Sequence, residues 1–207
     1  MIARLLTFGD QLVASPGPYN EFNVQQGEHW WELLAEHLGL EPVFIGNTIE
    51  NVGISPIWYL SKVNEILDTM TEDDRFVGFV PSAWRSLNWV NEKPKHSVTE
   101  DTGPHEYTSY CEWQAKFVFD ILVKICRNKN VLFVQQNLNN ITRGTKQVKV
   151  VRVEQHLKDF NWAWSWVVQE TGVTSNPNDF YKHYAPERKL NSKGHELVAK
   201  VMKKYVQ

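Results

Sequence analysis

The residues able to do chemistry cluster near the two ends of this 207-residue chain. An apolar run, Leu5-Leu6-Thr7-Phe8, closes in Gly9-Asp10-Gln11-Leu12. A carboxylate at the carboxyl end of a buried strand is well placed to hold a ligand, which singles out Asp10. The side chain of Gln11 is an amide that cannot be deprotonated to attack a carbonyl, so nucleophilic catalysis from that position is excluded. Toward the other end, Asp179 and His183 stand four residues apart. With a hydroxyl from Ser55 or Ser82 they make the parts of a nucleophile, base and acid set, provided their loop is rearranged to bring them together.

The seven histidines show no metal-ligand spacing. His29 and His37 are eight apart on one helix, too far for a shared ion. His96 and His105 fall in a long loop and read as solvated, and His195 reads as exposed in the first turn of the last helix. Cys111 and Cys126 also lack metal spacing and read as buried free thiols. The nearest approach to a phosphate loop, Arg143-Gly144-Thr145-Lys146, has one glycine, and its lysine does not follow it. No metal and no cofactor is expected.

These residues need elements to position them. Residues 2–8, 42–46, 75–80 and 130–135 are short apolar runs that suit buried strands. Helices are expected over 28–38, ended by Gly39, and over 57–69, 108–127 and 152–170, the last stopped at Gly172. A fifth strand near 172–175 and a final helix capped by Ser192 complete the pattern. Leu33, Leu34, His37 and Leu38 form the apolar stripe of the first helix. Residues 11–27 and 139–148 are loops, and residues 84–107 form a long irregular one, a length that often marks function. Strands alternating with helices imply a parallel sheet covered on both faces, in one domain over 1–207.

Composition sets further limits. Apolar residues make up 42% and charged residues 22%, ordinary for a globular protein, and the net charge of −2 predicts no bulk attraction to nucleic acid or to an anionic membrane. No run is long and apolar enough to span a membrane, and Gly9 and Asp10 interrupt any signal-peptide pattern, so a cytoplasmic or virion location is expected. The basic residues Lys146, Lys149 and Arg152 read as a solvated face. Nine tryptophans are the outlier. They are either bulky core and shell packing or an aromatic binding surface. Leu157, Phe160, Trp164, Val167 and Val168 make one apolar stripe, while Trp162 and Trp166 fall on a different face. Those two either contact a partner chain, giving a homo-oligomer or a larger assembly, or lie under the 84–107 loop.

This order of elements and short blocks resembles the SGNH/GDSL hydrolase superfamily over nearly the whole chain. The resemblance implies a three-layer α/β sandwich with a five-stranded parallel sheet in flavodoxin-like order, and ester or acetyl hydrolysis by a Ser-His-Asp triad. The four blocks that carry this chemistry keep their frame and lose their reactive residues. Where the family has Gly-Asp-Ser-Leu, the serine position is Gln11. In Asn51-Val52-Gly53-Ile54-Ser55 the oxyanion glycine has its counterpart in Gly53, which equally suits a tight turn. In Val80-Pro81-Ser82-Ala83-Trp84 the oxyanion asparagine position is Ala83. In the tail, Leu190-Asn191 and Gly194 match well, but Pro186 stands at the acid position and Lys189 at the base position.

Loss of the four groups together argues against the family's mechanism. The expectation is a non-catalytic protein with a binding or structural role, such as a virion or tail subunit. Asp10, Gln11, Gly53, Ser82 and Trp84 would line the former active-site mouth and hold a glycan or an acylated small molecule. The alternative is an esterase or deacetylase using relocated residues among Ser55, Ser82, Asp179 and His183.

Overall fold

A computed structural model describes residues 2–9, 23–45, 56–81, 85–90, 93–98, 105–136, 147–153, 157, 160 and 162–206, with the backbone alone for 85–90, 93–98, 105–112, 136 and 162. In chain order the elements are β1 (Arg4–Gly9), α1 (Trp30–Leu38), β2 (Glu41–Phe44), α2 (Pro56–Thr69), β3 (Arg75–Phe79), β4 (Arg85–Val90), β5 (Lys93–Val98), α3 (His105–Ile125), β6 (Asn130–Gln136), β7 (Val148–Val153), α4 (Trp162–Thr171), α5 (Pro177–Tyr184) and α6 (Ser192–Val206), with a 3-10 turn at Pro186–Arg188.

Five strands form one all-parallel sheet in the order β2-β1-β3-β6-β7. Counted along the chain this is 2-1-3-4-5, the flavodoxin-like order, as expected. Neighbouring residues of a strand point to opposite faces, which explains why the central strands are apolar throughout. Leu5, Val77, Leu132 and Val134 face one core with Trp30, Leu34, Trp164, Phe180, Val198 and Met202 from α1, α4, α5 and α6. Leu6, Phe76, Val131 and Phe133 face the other with Tyr59, Val63, Val118, Phe119 and Leu122 from α2 and α3.

Polar contacts at the amino ends of the strands fix the register. Asp74, just before β3, accepts from the Arg4 backbone N–H at 2.8 Å, the Arg4 guanidinium at 2.6 Å and the Thr71 N–H at 2.8 Å. The Arg4 guanidinium, with the backbone donors, holds the Asp74 carboxyl well below the usual carboxylate range. Arg75 donates to the Val206 carbonyl at 2.8 Å and Lys149 to that of Tyr205 at 3.3 Å. These cations satisfy carbonyls at the end of α6, where the helix dipole favours positive charge. Helix α6 therefore runs antiparallel to the strands, with its first turn at their carboxyl ends.

Several elements differ from expectation. The 84–107 stretch is not irregular throughout, because β4 and β5 pair as an antiparallel hairpin and α3 begins at His105. The fifth strand is β7, not residues 172–175. Val148, Val151 and Val153 point inward while Lys149 and Arg152 are exposed, and pairing with β6 makes a strand of residues whose sequence also suited the start of a helix. Those two basic residues are the solvated face expected, while Lys146 lies outside the described residues. Gly172, with φ 64°, ends α4, and the chain then enters α5 instead of a strand. Asn191, not Ser192, caps α6, its Oδ1 accepting from the Gly194 N–H at 2.9 Å. His37 is exposed and no part of the α1 stripe. Cys126 is a buried free thiol, as expected, and burial pushes it up to about 12.

Candidate functional site

In an open parallel sheet the ligand crevice forms at the carboxyl ends of the strands where the strand order reverses. In this sheet that point lies between β1 and β3. Gly9 ends β1 with φ 142°. A Cβ on Gly9 would sit 2.2 Å from the Phe79 carbonyl oxygen and 2.7 Å from the Phe79 nitrogen. Only glycine fits a backbone pressed this closely on β3 in this conformation. Asp10 and Gln11 follow that turn directly in the sequence. On the other side of the switch, Val80 donates to the Val134 carbonyl at 2.9 Å and leads through Pro81 into Ser82, Ala83 and Trp84. Asp10, Gln11, Gly53, Ser55, Ser82, Ala83 and Trp84 lie outside the described residues.

The described rim of this edge comes from α1 and α6. Trp30 stands edge-on to Phe79 at the end of β3, with ring centroids 5.7 Å apart, and Trp31 stacks on Phe44 at the end of β2 at 4.3 Å. The first turn of α1 is held by carboxylates. Glu32 accepts from the Gly27 N–H at 2.8 Å, the His29 N–H at 3.1 Å and the His29 Nδ1 at 2.5 Å. Glu28 accepts from the Ser192 hydroxyl at 2.6 Å and the Gln25 N–H at 3.0 Å. The Ser192 hydroxyl first, then the Gln25 N–H, draw the Glu28 carboxyl below its ordinary range.

His195 joins the two helices. It is 1% exposed, and its Nδ1 accepts the Trp30 N–H at 3.0 Å. This corrects the expectation of an exposed histidine. The spacing did carry the information: His195, Val198, Ala199 and Met202 fall on one stripe of α6, and the other three belong to the core. The link from His29 to Glu32 was missed as well, although its spacing is that of a capping box.

Among the described residues, Asp179 and His183 are not brought together. Asp179 and His183 are both exposed on α5, and no hydrogen bond joins them. The His183 carbonyl is occupied by Asn191 Nδ2 at 2.9 Å. Pro186 opens a tight turn in which Glu187 and Arg188 take left-handed conformations, with φ 53° and 63°. Lys189 follows, with its ammonium 3.6 Å from Glu187. At the acid and base positions of the fourth block there is thus no carboxylate and imidazole pair. Among the described residues Ser192 places a hydroxyl on this rim, and it donates to Glu28 rather than to a histidine. Among the described residues no group of histidine, cysteine and carboxylate side chains is arranged to hold a metal.

Trp166, expected at a partner contact or under the 84–107 loop, is buried within the chain. Its ring is 3% exposed and packs against Tyr205 of α6 at 5.8 Å. Its second apolar face meets α6 inside the chain, and the side chains of 84–107, the other cover expected for it, lie outside the described residues. The side chain of Trp162 lies outside the description. Of the other tryptophans, Trp30, Trp31 and Trp164 are buried, whereas Trp113 is 60% exposed and stacks on Phe117 at 5.6 Å. A groove of 510 Å³ lies between α1 and α6, lined by Leu33, His37, Glu196 and Lys200 among others.

The sequence matches no protein-family model and no curated protein. Among solved structures the chain is similar to an acetyl xylan esterase, Est2A, from the rumen bacterium Butyrivibrio proteoclasticus, with a TM-score of 0.46 and 13% identity over 98% of this chain. The chain covers 62% of that structure's length. No helix among the described residues is long and apolar enough to cross a membrane.

Proposed function

We propose that this chain is a ligand-binding protein on an SGNH-hydrolase-type scaffold that has lost its serine chemistry, with its site at the β1/β3 switch point. The observation that carries this is the turn at Gly9. Its glycine-only backbone, pressed against Phe79 at the point where the strand order reverses, leads directly into Asp10 and Gln11. In the sequence, an amide follows this glycine turn where the resembled family's pattern has a hydroxyl. The exposed, unjoined Asp179 and His183 support the same reading, because a relocated triad needs a base oriented by its acid. The ligand class is a glycan or an acylated small molecule, held by Asp10 and Gln11 with Trp84 as a stacking face.

The test is hydrolysis of p-nitrophenyl acetate and of an acetylated sugar by the natural protein and a Gln11→Ser variant, beside calorimetric titration with the same sugar. The expected result is no turnover by the natural protein and saturable binding that weakens about tenfold in Asp10→Ala. Turnover above background that disappears in His183→Ala would overturn the reading in favour of an esterase with relocated residues.

A further inference from the structure

The bond from the Trp30 N–H to His195 ties the first turn of α1 to the first turn of α6. An imidazole nitrogen that accepts a hydrogen bond carries no proton, so in this arrangement the ring is neutral and any ring proton sits on Nε2. Adding a proton at Nδ1 removes the lone pair that takes the Trp30 N–H. It also places a positive charge in the first turn of α6 and against the first turn of α1, where both helix dipoles oppose it. Histidine is the side chain whose charge ordinarily changes between about pH 5 and pH 8.

The surrounding groups decide how far the bond responds. On the α1 side stand Glu28, His29 and Glu32. The His29 ring lies edge-on to His195 with centroids 5.4 Å apart, and the Glu28 carboxylate interacts with both imidazoles. Lys193 and Glu196 neighbour His195 on α6, and Lys189 lies in the segment leading into that helix. Glu28 already accepts from Ser192 and Gln25, and Glu32 from three donors on and before α1. These carboxylates temper a positive charge at His195 but cannot restore an acceptor for Trp30. The consequence reaches the strand ends, because Trp30 rests on Phe79 and Trp31 on Phe44.

We infer that His195 is an acid-operated latch between α1 and α6: a proton taken from solvent onto Nδ1 frees the Trp30 N–H and loosens the first turn of α1 at the carboxyl edge of the sheet. The latch is independent of which ligand binds there.

Amide exchange in the full chain tests it, at about pH 7.5 and about pH 5, corrected for the intrinsic pH dependence and referred to the Phe133 amide in β6. Protection of Trp30 relative to Phe133 is expected to fall about tenfold on acidification. In His195→Asn the Oδ1 stands where Nδ1 stood and accepts without titrating, so the ratio should be the same at both values. An unchanged ratio in the natural protein overturns the inference, and so does an equal fall in His195→Asn. Should that variant fail to fold, nitrogen NMR of the natural protein decides. The Trp30 amide shift should follow the His195 ring titration with one midpoint. A ring that carries its proton on Nδ1 at neutral pH, or that titrates without moving Trp30, overturns it.

Discussion

Gly9 is the residue at which backbone geometry and the proposed site meet, and it sets a sharp expectation. A methyl group there would lie 2.2 Å from the Phe79 carbonyl oxygen in a conformation that side chains rarely adopt. Gly9→Ala should lower stability by about 2–4 kcal/mol in chemical unfolding, with loss of β1/β3 pairing as the cause. Asp74 makes a second prediction. Its carboxyl lies below the usual range in the folded state, so its contribution is present above the unfolded value of about 3.9 and is lost as pH falls below it. Asp74→Asn should therefore cost about 2 kcal/mol near neutral pH, and the gap between the two proteins should narrow below about pH 4. At this scale the sequence was legible where a residue type alone excludes chemistry, as at Gln11. It was misleading where neighbours decide. His195 read as exposed because a histidine near a helix start is ordinarily solvated, and the partner that buries it, Trp30, lies 165 residues away.

The elements show the same division. β1, β3 and β6 are buried on both faces, and their unbroken apolar runs announce that. α5 is short and mostly polar, so hydrophobic periodicity does not reveal it, although Asn176 capping the Asn178 N–H at 3.0 Å and Pro177 in the first position are a helix start written in the sequence. The helix expected over 152–170 overlaps the end of β7 because the strand's apolar positions run on toward the α4 stripe. Long-range pairing with β6 separates the two. The last helix offers a test of capping. Asn191 satisfies the Gly194 N–H and also donates to the His183 carbonyl, binding α6 to α5. Asn191→Ala should cost about 1–2 kcal/mol in thermal unfolding, while Ser192→Ala, which removes a donor to Glu28 and no cap, should cost less.

For the whole molecule, the layer order and the position of the switch-point crevice follow from strand order alone, whereas the ligand proposed for it would depend on Asp10, Gln11, Gly53, Ser82 and Trp84, which no periodicity arranges. The tryptophan surplus also divides at this scale: four of the six rings described are buried in the core, Trp58 packs half-buried against it, and Trp113 with Phe117 is left on the α3 surface. The two ends of the sheet have a further consequence. β2 is four residues long, with Glu41 and Pro42 exposed, and β7 carries exposed Lys149 and Arg152. Proline has no N–H to offer an incoming strand, and charges along an edge repel another copy or must be desolvated to admit it. The open sheet is thereby kept from growing across molecules. Replacing Pro42 with Val together with Lys149→Val and Arg152→Thr should leave the fold in place and make concentrated solutions scatter light as filaments build edge to edge.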